Sequence, residues 1–341
     1  MVISRTPYRI SFFGGGTDYP AWYREHGGAV LATTIDKYCY LTVRYLPPFF
    51  AHRFRVVYSE NELCKEVGEI RHPAVRGVLQ QLGFSDCNGL EIHHDGDLPA
   101  RSGIASSSSF IVGLLNALYS LRGQLRSKHE LAMESIQIEQ EVLKENVGSQ
   151  DQTLAAYGGL NTVHFHQSGE ISVRPLILSA SRLRDFSSCL MLFFTGISRT
   201  SSEVAASYVS AIKTKEKQFA SYGPMMDEAV NILSKDRPLK EFGRLLHEAW
   251  LIKKSLSSHV SNGEIDKIYE EALRAGAQGG KIIGAGGGGF LLLFVLPEHQ
   301  ATVRERLKNV LEVPFQFESS GTQIIFYDRQ ADHARNAWRD A

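Results

Sequence analysis

Cysteine is scarce and poorly placed for structural chemistry. Cys39, Cys64, Cys87 and Cys189 stand far apart with no C-x-x-C spacing, so neither a zinc knuckle nor a disulfide framework is indicated. Net charge is missing too. The 37 basic residues balance 37 acidic ones, which speaks against a broad nucleic-acid footprint or an acidic membrane partner and leaves only local basic patches open. No uninterrupted apolar span is long enough to cross a bilayer, and the first nine residues, Met1 to Arg9, lack a secretory apolar region. Internal repeats and low-complexity linkers are absent as well. These absences leave a cytoplasmic, enzyme-sized chain whose 341 residues suit one large domain or two moderate ones.

Alternating apolar and polar residues predict strands at Tyr38 to Tyr45 and Phe54 to Tyr58, and another at Leu90 to His93 leading into a serine-rich loop. Helical patterns run from Ser107 to about Leu121 and from Ser127 to about Glu145. A short buried strand is expected from Cys189 to Phe194, followed by helices at about 202–219, 224–233, 238–256 and 264–275. The end alternates again: a strand at 290–296, a helix at 298–311 and a final strand at 322–327. The whole reads as an α+β protein of two halves, residues 1–185 and 186–341, with no Pro/Gly linker at the join.

Three segments carry chemical information. In the first, Pro99 to Phe110, a small-residue loop full of hydroxyls empties into an apolar helix. Small side chains let an anion approach the backbone, and the helix's unpaired first amides and positive dipole end attract it; the plain alternative is a serine-rich cap on a core helix. The second, Lys281 to Phe290, holds Gly284 and Gly286 to Gly289. Its glycines satisfy G-x-G-x-x-G, yet a strand follows where a dinucleotide site needs a helix, and no G-K-[ST] occurs. A tight hairpin would not ordinarily need so many glycines; a turn pressed against a ligand or another loop would. In the third, Thr6 to Tyr19, a short strand containing Arg9 runs into Gly14, Gly15 and Gly16 and then Asp18. An unpaired buried guanidinium is costly, so Arg9 either has a partner or faces water from an edge strand.

Glu139 stands out by periodicity. At about 100° per residue, Leu131, Ala132, Ile136, Ile138, Val142 and Leu143 form one broad apolar arc, and Glu139 projects near its middle. A carboxylate there needs a partner, either a buried Lys or Arg or a metal ion.

Taken together, in this order and spacing, the three segments resemble the motifs of the GHMP kinase superfamily (galactokinase, homoserine kinase, mevalonate kinase, phosphomevalonate kinase). The resemblance spans nearly the whole chain. It implies a ribosomal-protein-S5-like N-terminal domain and a ferredoxin-like C-terminal domain with the active site between them. Within the superfamily the chain resembles the D-glycero-D-manno-heptose 7-phosphate kinases in Thr6 to Pro20, Gly27 to Tyr38, Gly103 to Phe110 and Phe194 to Thr200. Galactokinases carry Gly-Glu-His where this chain has Gly14-Gly15-Gly16, so the acid that would meet a sugar hydroxyl is missing.

The resemblance implies roles residue by residue. Gly148 to Gln152 resembles the loop bearing the catalytic Asp, making Asp151 the candidate base; a solvated loop Asp or a helix cap is the alternative. Arg9 could pair with Asp151 and offset charge on the attacking oxygen. ATP is expected against Gly103, Ile104, Ala105, Ser106, Ser107, Ser108 and Ser109, with Gly286 and Gly287 on the far side. Magnesium is expected on Glu139 and a loop hydroxyl, Ser107 by alignment with Ser106 and Ser108 as competitors. Asp18, Gly15, Gly16, Lys37 and Arg199 are the candidate sugar-phosphate contacts. The implied activity is ATP-dependent phosphorylation of the anomeric hydroxyl of a heptose 7-phosphate, feeding nucleotide-activated heptose. A fucose or galactose 1-kinase and a silent sugar sensor of the same fold remain alternatives, and a homo-oligomer is left open.

Overall fold

The computed structural model describes residues 1–328 except 86, 88, 101, 198–206, 208, 209, 211 and 213. Strand Val2–Phe13 pairs antiparallel with the long strand Gly28–Tyr45, whose length lets it serve several neighbours: Leu90–Gly96 along its second half, Asn161–Phe165 along its first. Helix Ser106–Leu121 lies against this sheet. It is apolar nearly all round and buried from Ser108 to Tyr119, as a helix with no polar face must be.

The second sheet orders its strands Leu311–Glu312, Leu190–Phe194, Phe290–Phe294 and Gly279–Ile282, all antiparallel. In chain order this is 4-1-3-2, the arrangement expected of a ferredoxin-like half. Its helices include Tyr222–Ser234, Lys240–Leu256 and Gly263–Arg274. The two sheets meet through an aromatic cluster: the rings of Phe12 and Phe242 lie 5.6 Å apart, those of Phe186 and Phe242 4.8 Å, and those of Phe242 and Phe294 5.7 Å. Each such ring buries a large apolar area, so the cluster fixes where the end of the first strand stands against the second sheet.

Several expectations are corrected. The last strand, Gln323–Tyr327, does not stay with the second half; it pairs with Val2–Phe13 and closes the first sheet, and Phe317–Glu318 adds to Gly28–Tyr45. The helix expected to run to Glu145 is regular only over Lys128–Gln137, then widens into a π-helical turn at Ile138–Val142. The helix expected to reach Leu311 ends at Arg306, and Leu311 begins a strand. Helix Pro73–Gln81 and strand Ile171–Pro175 had no clear sequence signal. Among the described residues, no helix is long and apolar enough to cross a membrane.

Candidate active site

Arg9 is the hinge of the site. It lies well inside strand Val2–Phe13, paired with Thr34, and is only 3% exposed. Its Nε and one terminal nitrogen donate to the two carboxylate oxygens of Asp151 at 2.7 and 2.8 Å; the other terminal nitrogen donates to the Gly103 carbonyl at 2.7 Å. Such a fork-to-fork pair fixes geometry as well as charge. One side chain therefore ties helix Gln150–Tyr157, which carries Asp151 in its first turn, to the serine-rich loop.

That loop enters helix Ser106–Leu121 through Ala105, held in the left-handed conformation at φ 67° with no side chain capping the first turn. Amides at an uncapped helix start are donors for an anion. The serines divide their work. Ser109 donates to the Pro7 carbonyl at 2.9 Å and Ser102 to the Pro99 carbonyl at 2.6 Å, whereas Ser107 and Ser108 turn to Glu139 at 3.0 and 2.7 Å. Ile104 is buried, and its carbonyl accepts from the Arg9 amide at 3.3 Å.

Glu139, in the π-helical turn, is wholly buried. Its side-chain hydrogen-bond partners among the described residues are Ser107, Ser108 and Gln152, all neutral, so none of these residues is the buried Lys or Arg that sequence reasoning allowed. Burial pushes its carboxyl up to about 7, with Glu145 adding to the rise and the three hydrogen bonds opposing it. Beside it the Gln152 carboxamide oxygen is buried and, among the described residues, unpaired. A carboxylate, an exposed hydroxyl from Ser107 and an acceptor for a hydrating water suit a magnesium ion, which takes few protein ligands.

Asp18 is buried below the Gly14–Gly16 turn. Its carboxylate accepts from the amides of Gly16 at 2.8 Å and Gln150 at 3.3 Å, and its carbonyl accepts from the Ser149 amide at 2.9 Å. Burial, with the Asp151 charge second, raises its carboxyl to about 6. The turn thus locks onto the loop that carries Asp151.

The glycine-rich segment joins Gly279–Ile282 to Phe290–Phe294, and its backbone approaches other loops. A Cβ on Gly284 would lie 2.4 Å from the Gly103 carbonyl oxygen, and one on Gly289 2.0 Å from that of Ser102. The two loops are docked face to face. On the other side Gly286 packs on Val260, and the Gly287 amide donates to the Val260 carbonyl at 2.8 Å, which places these two glycines on a neighbouring loop.

Two buried cations were missed by the sequence reading. Lys281 donates to the Phe12 carbonyl at 2.9 Å, and Lys253 to the carbonyls of Ile282 and Gly284 at 3.0 and 2.5 Å. Burial, then Arg9, depresses Lys281 to about 7. The signal was legible for Lys253, which continues the apolar stripe Phe242, Leu246 and Ala249 on Lys240–Leu256. Of the candidate sugar-phosphate contacts, Asp18, Gly15 and Gly16 gather at the Arg9–Asp151 pair. Lys37 stands apart from that cluster, 3.6 Å from its neighbour Asp36, and Arg199 lies outside the described residues.

Comparison with known proteins accords with this layout. The profile of the GHMP kinases N-terminal domain matches residues 69–159 and that of the GHMP kinases C-terminal domain residues 225–313, together just over half of the chain. A D-glycero-alpha-D-manno-heptose 7-phosphate kinase of Campylobacter jejuni is 28% identical over 322 residues, covering 89% of this chain and 92% of its own. A galactokinase of Pyrococcus furiosus is 25% identical over 341 residues, covering 89% and 91%. Among solved structures, a D-glycero-D-manno-heptose 1-phosphate kinase of Bacteroides thetaiotaomicron shares the fold with a TM-score of 0.78 at 23% identity, covering 96% of this chain and all of that one.

Proposed function

This chain belongs to the GHMP kinase family, and from that premise we propose that it transfers a phosphoryl group from ATP to the anomeric hydroxyl of D-glycero-D-manno-heptose 7-phosphate. That it is a sugar kinase follows from its relatives; the heptose and the position are our reading. The observation that carries the chemistry is the Arg9 guanidinium gripping Asp151 and Gly103 at once. Phosphoryl transfer needs an aligned nucleophile, a place for its proton and compensation for charge, and the Arg9–Asp151 pair offers candidates for the last two side by side.

In this reading Asp151, a quarter exposed, takes the hydroxyl proton, and Arg9 orients it while offsetting charge on the attacking oxygen. The uncapped start of helix Ser106–Leu121 receives the phosphates, and the docked glycine-rich loop holds that receiving loop in place. Glu139 and Ser107 would hold magnesium, which when bound supplies charge compensation for the triphosphate. Gly14-Gly15-Gly16 leaves out the acid of galactokinases, which favours the heptose over galactose.

A coupled ATPase assay over heptose 7-phosphate, heptose, fucose and galactose tests the proposal, with the phosphorylated position assigned by phosphorus NMR. The highest kcat/KM is expected for heptose 7-phosphate, with the new phosphate on C1. Preference for a neutral sugar, or phosphate elsewhere on the ring, overturns it.

A further inference from the structure

Lys253 and Lys281 reach the junction of the two sheets from the second half of the chain, and each is 7% exposed. Lys281 stands on strand Gly279–Ile282, in register with Leu292, and its Nζ crosses to the first sheet to donate to the Phe12 carbonyl. Phe12 is skipped where the first two strands pair: Ser11 faces Ala32 and Phe13 faces Leu31. A residue bulged out of a ladder loses its partner there, so its buried carbonyl needs a donor from elsewhere. Arg9 lies three residues back on the same strand, and the Gly14–Gly16 turn follows Phe13 directly.

Lys253 serves the opposite wall. Its Nζ bonds the carbonyls of Ile282 and Gly284, bracketing Ile283 at the start of the glycine-rich segment. Gly284 stands past the end of strand Gly279–Ile282 at φ +74° and presses on Gly103, whose carbonyl is the third acceptor of Arg9.

The acceptors of both amines among the described residues are main-chain carbonyls, with no carboxylate among them. The arrangement is electrostatically uncomfortable. Burial, with the charges of Lys281 and Arg9 adding to it, holds Lys253 well below the usual lysine range. Apolar side chains of similar length would avoid that repulsion, but would leave three carbonyls short of a donor. The amines therefore act as donors at chosen points of the backbone and not as counterions.

We infer that Lys253 and Lys281 are positioning residues that divide the site between them, Lys253 setting the nucleotide side by holding Gly284 against Gly103, and Lys281 setting the acceptor side by holding the strand end that leads into Gly14–Gly16. The inference rests on the reading that ATP meets the serine-rich loop and the sugar meets the glycine turn. Neither lysine touches a reacting atom; each acts through the backbone it holds.

The test uses the full chain with Lys253→Met and Lys281→Met, which keep stem length and remove the donor. Kinetics are measured with ATP and heptose 7-phosphate, well below the melting temperature of each variant. Lys253→Met should raise KM for ATP roughly three- to tenfold and leave KM for the sugar within twofold; Lys281→Met should do the reverse. A merely structural role would lower the melting temperature without separating the two KM values. Unchanged KM values in both variants overturn the inference, as does a rise in both KM values together in each. Where a methionine variant does not fold, the glutamine variant, which keeps an N–H donor, carries the same comparison; failure of both to fold shows a structural role and overturns it too. If the wild type acts on galactose or fucose instead, the heptose reading fails, while the split in KM, measured with that sugar, still decides the roles of the lysines.

Discussion

Arg9 and Asp151 lie 142 positions apart and meet through two parallel hydrogen bonds of 2.7 and 2.8 Å. The pair is lopsided in exposure: 4% for the Arg9 side chain and 25% for that of Asp151. The cation is enclosed by protein groups, and the carboxylate keeps a side a substrate can reach. A surface ion pair would be worth little, but this one sets the position of two loops at once.

Asp151→Asn tests the base. Asn is nearly isosteric and cannot take the proton, so kcat should fall by roughly 10²- to 10⁴-fold with ATP affinity retained. The variant should also melt lower, because Arg9 loses a charged partner while staying buried. Steady-state kinetics well below that melting temperature decide the matter; turnover within about threefold of wild type would remove Asp151 from this role.

Glu139→Gln tests the metal carboxylate through pH as well as magnesium. The native carboxyl titrates near 7, above the ordinary 4.5, so between these values the folded state holds a proton that the unfolded state has released. Wild-type stability contributed by this group is therefore full below 4.5 and lost as pH rises through 7. The variant lacks that loss, and the stability gap should open in its favour across this window in metal-free denaturant titrations. Activity should fall and its magnesium requirement move to higher concentration.

Gly284→Ala tests loop docking. A methyl there meets the Gly103 carbonyl oxygen at 2.4 Å and forces a side chain onto φ +74°. We expect a loss of about 2 kcal/mol or more in denaturant unfolding, with KM for ATP raised. Gly263→Ala is the control: it opens helix Gly263–Arg274 with no atom other than its chain neighbours and its own helix backbone within 4 Å, and should leave stability within about 0.5 kcal/mol of wild type.

Lys37→Ala and Arg199→Ala test recognition of the distal phosphate. Losing a charge-assisted contact of about 1.5 to 3 kcal/mol should raise KM for heptose 7-phosphate roughly tenfold or more, with KM for ATP little changed. Wild-type kcat/KM for heptose 7-phosphate and for heptose should differ correspondingly. Equal values would sink a phosphate pocket altogether.

Much of this layout was legible in the chain. Uncapped small residues before an apolar run marked the loop at Gly103, and the excess of glycine at Gly284 to Gly289 marked a backbone under close approach. The arc around Glu139 marked a carboxylate in need of a partner, because helical period depends only on local spacing.

The partners themselves were not legible. A glycine records that something lies close and not what it is; only the packing of the second sheet on the first brings Gly284 to Gly103 and Lys281 to Phe12. The return of Gln323–Tyr327 to the first strand is a long-range pairing that no local pattern encodes. The sequence by itself determined which segments stood out as candidates and, for most of them, the elements they sit on, through periodicity, small residues and charge within apolar runs. The tertiary structure alone decided that Arg9 grips Asp151 and that, among the described residues, the side chains bonded to Glu139 are neutral, since these depend on how residues far apart in the chain are packed together.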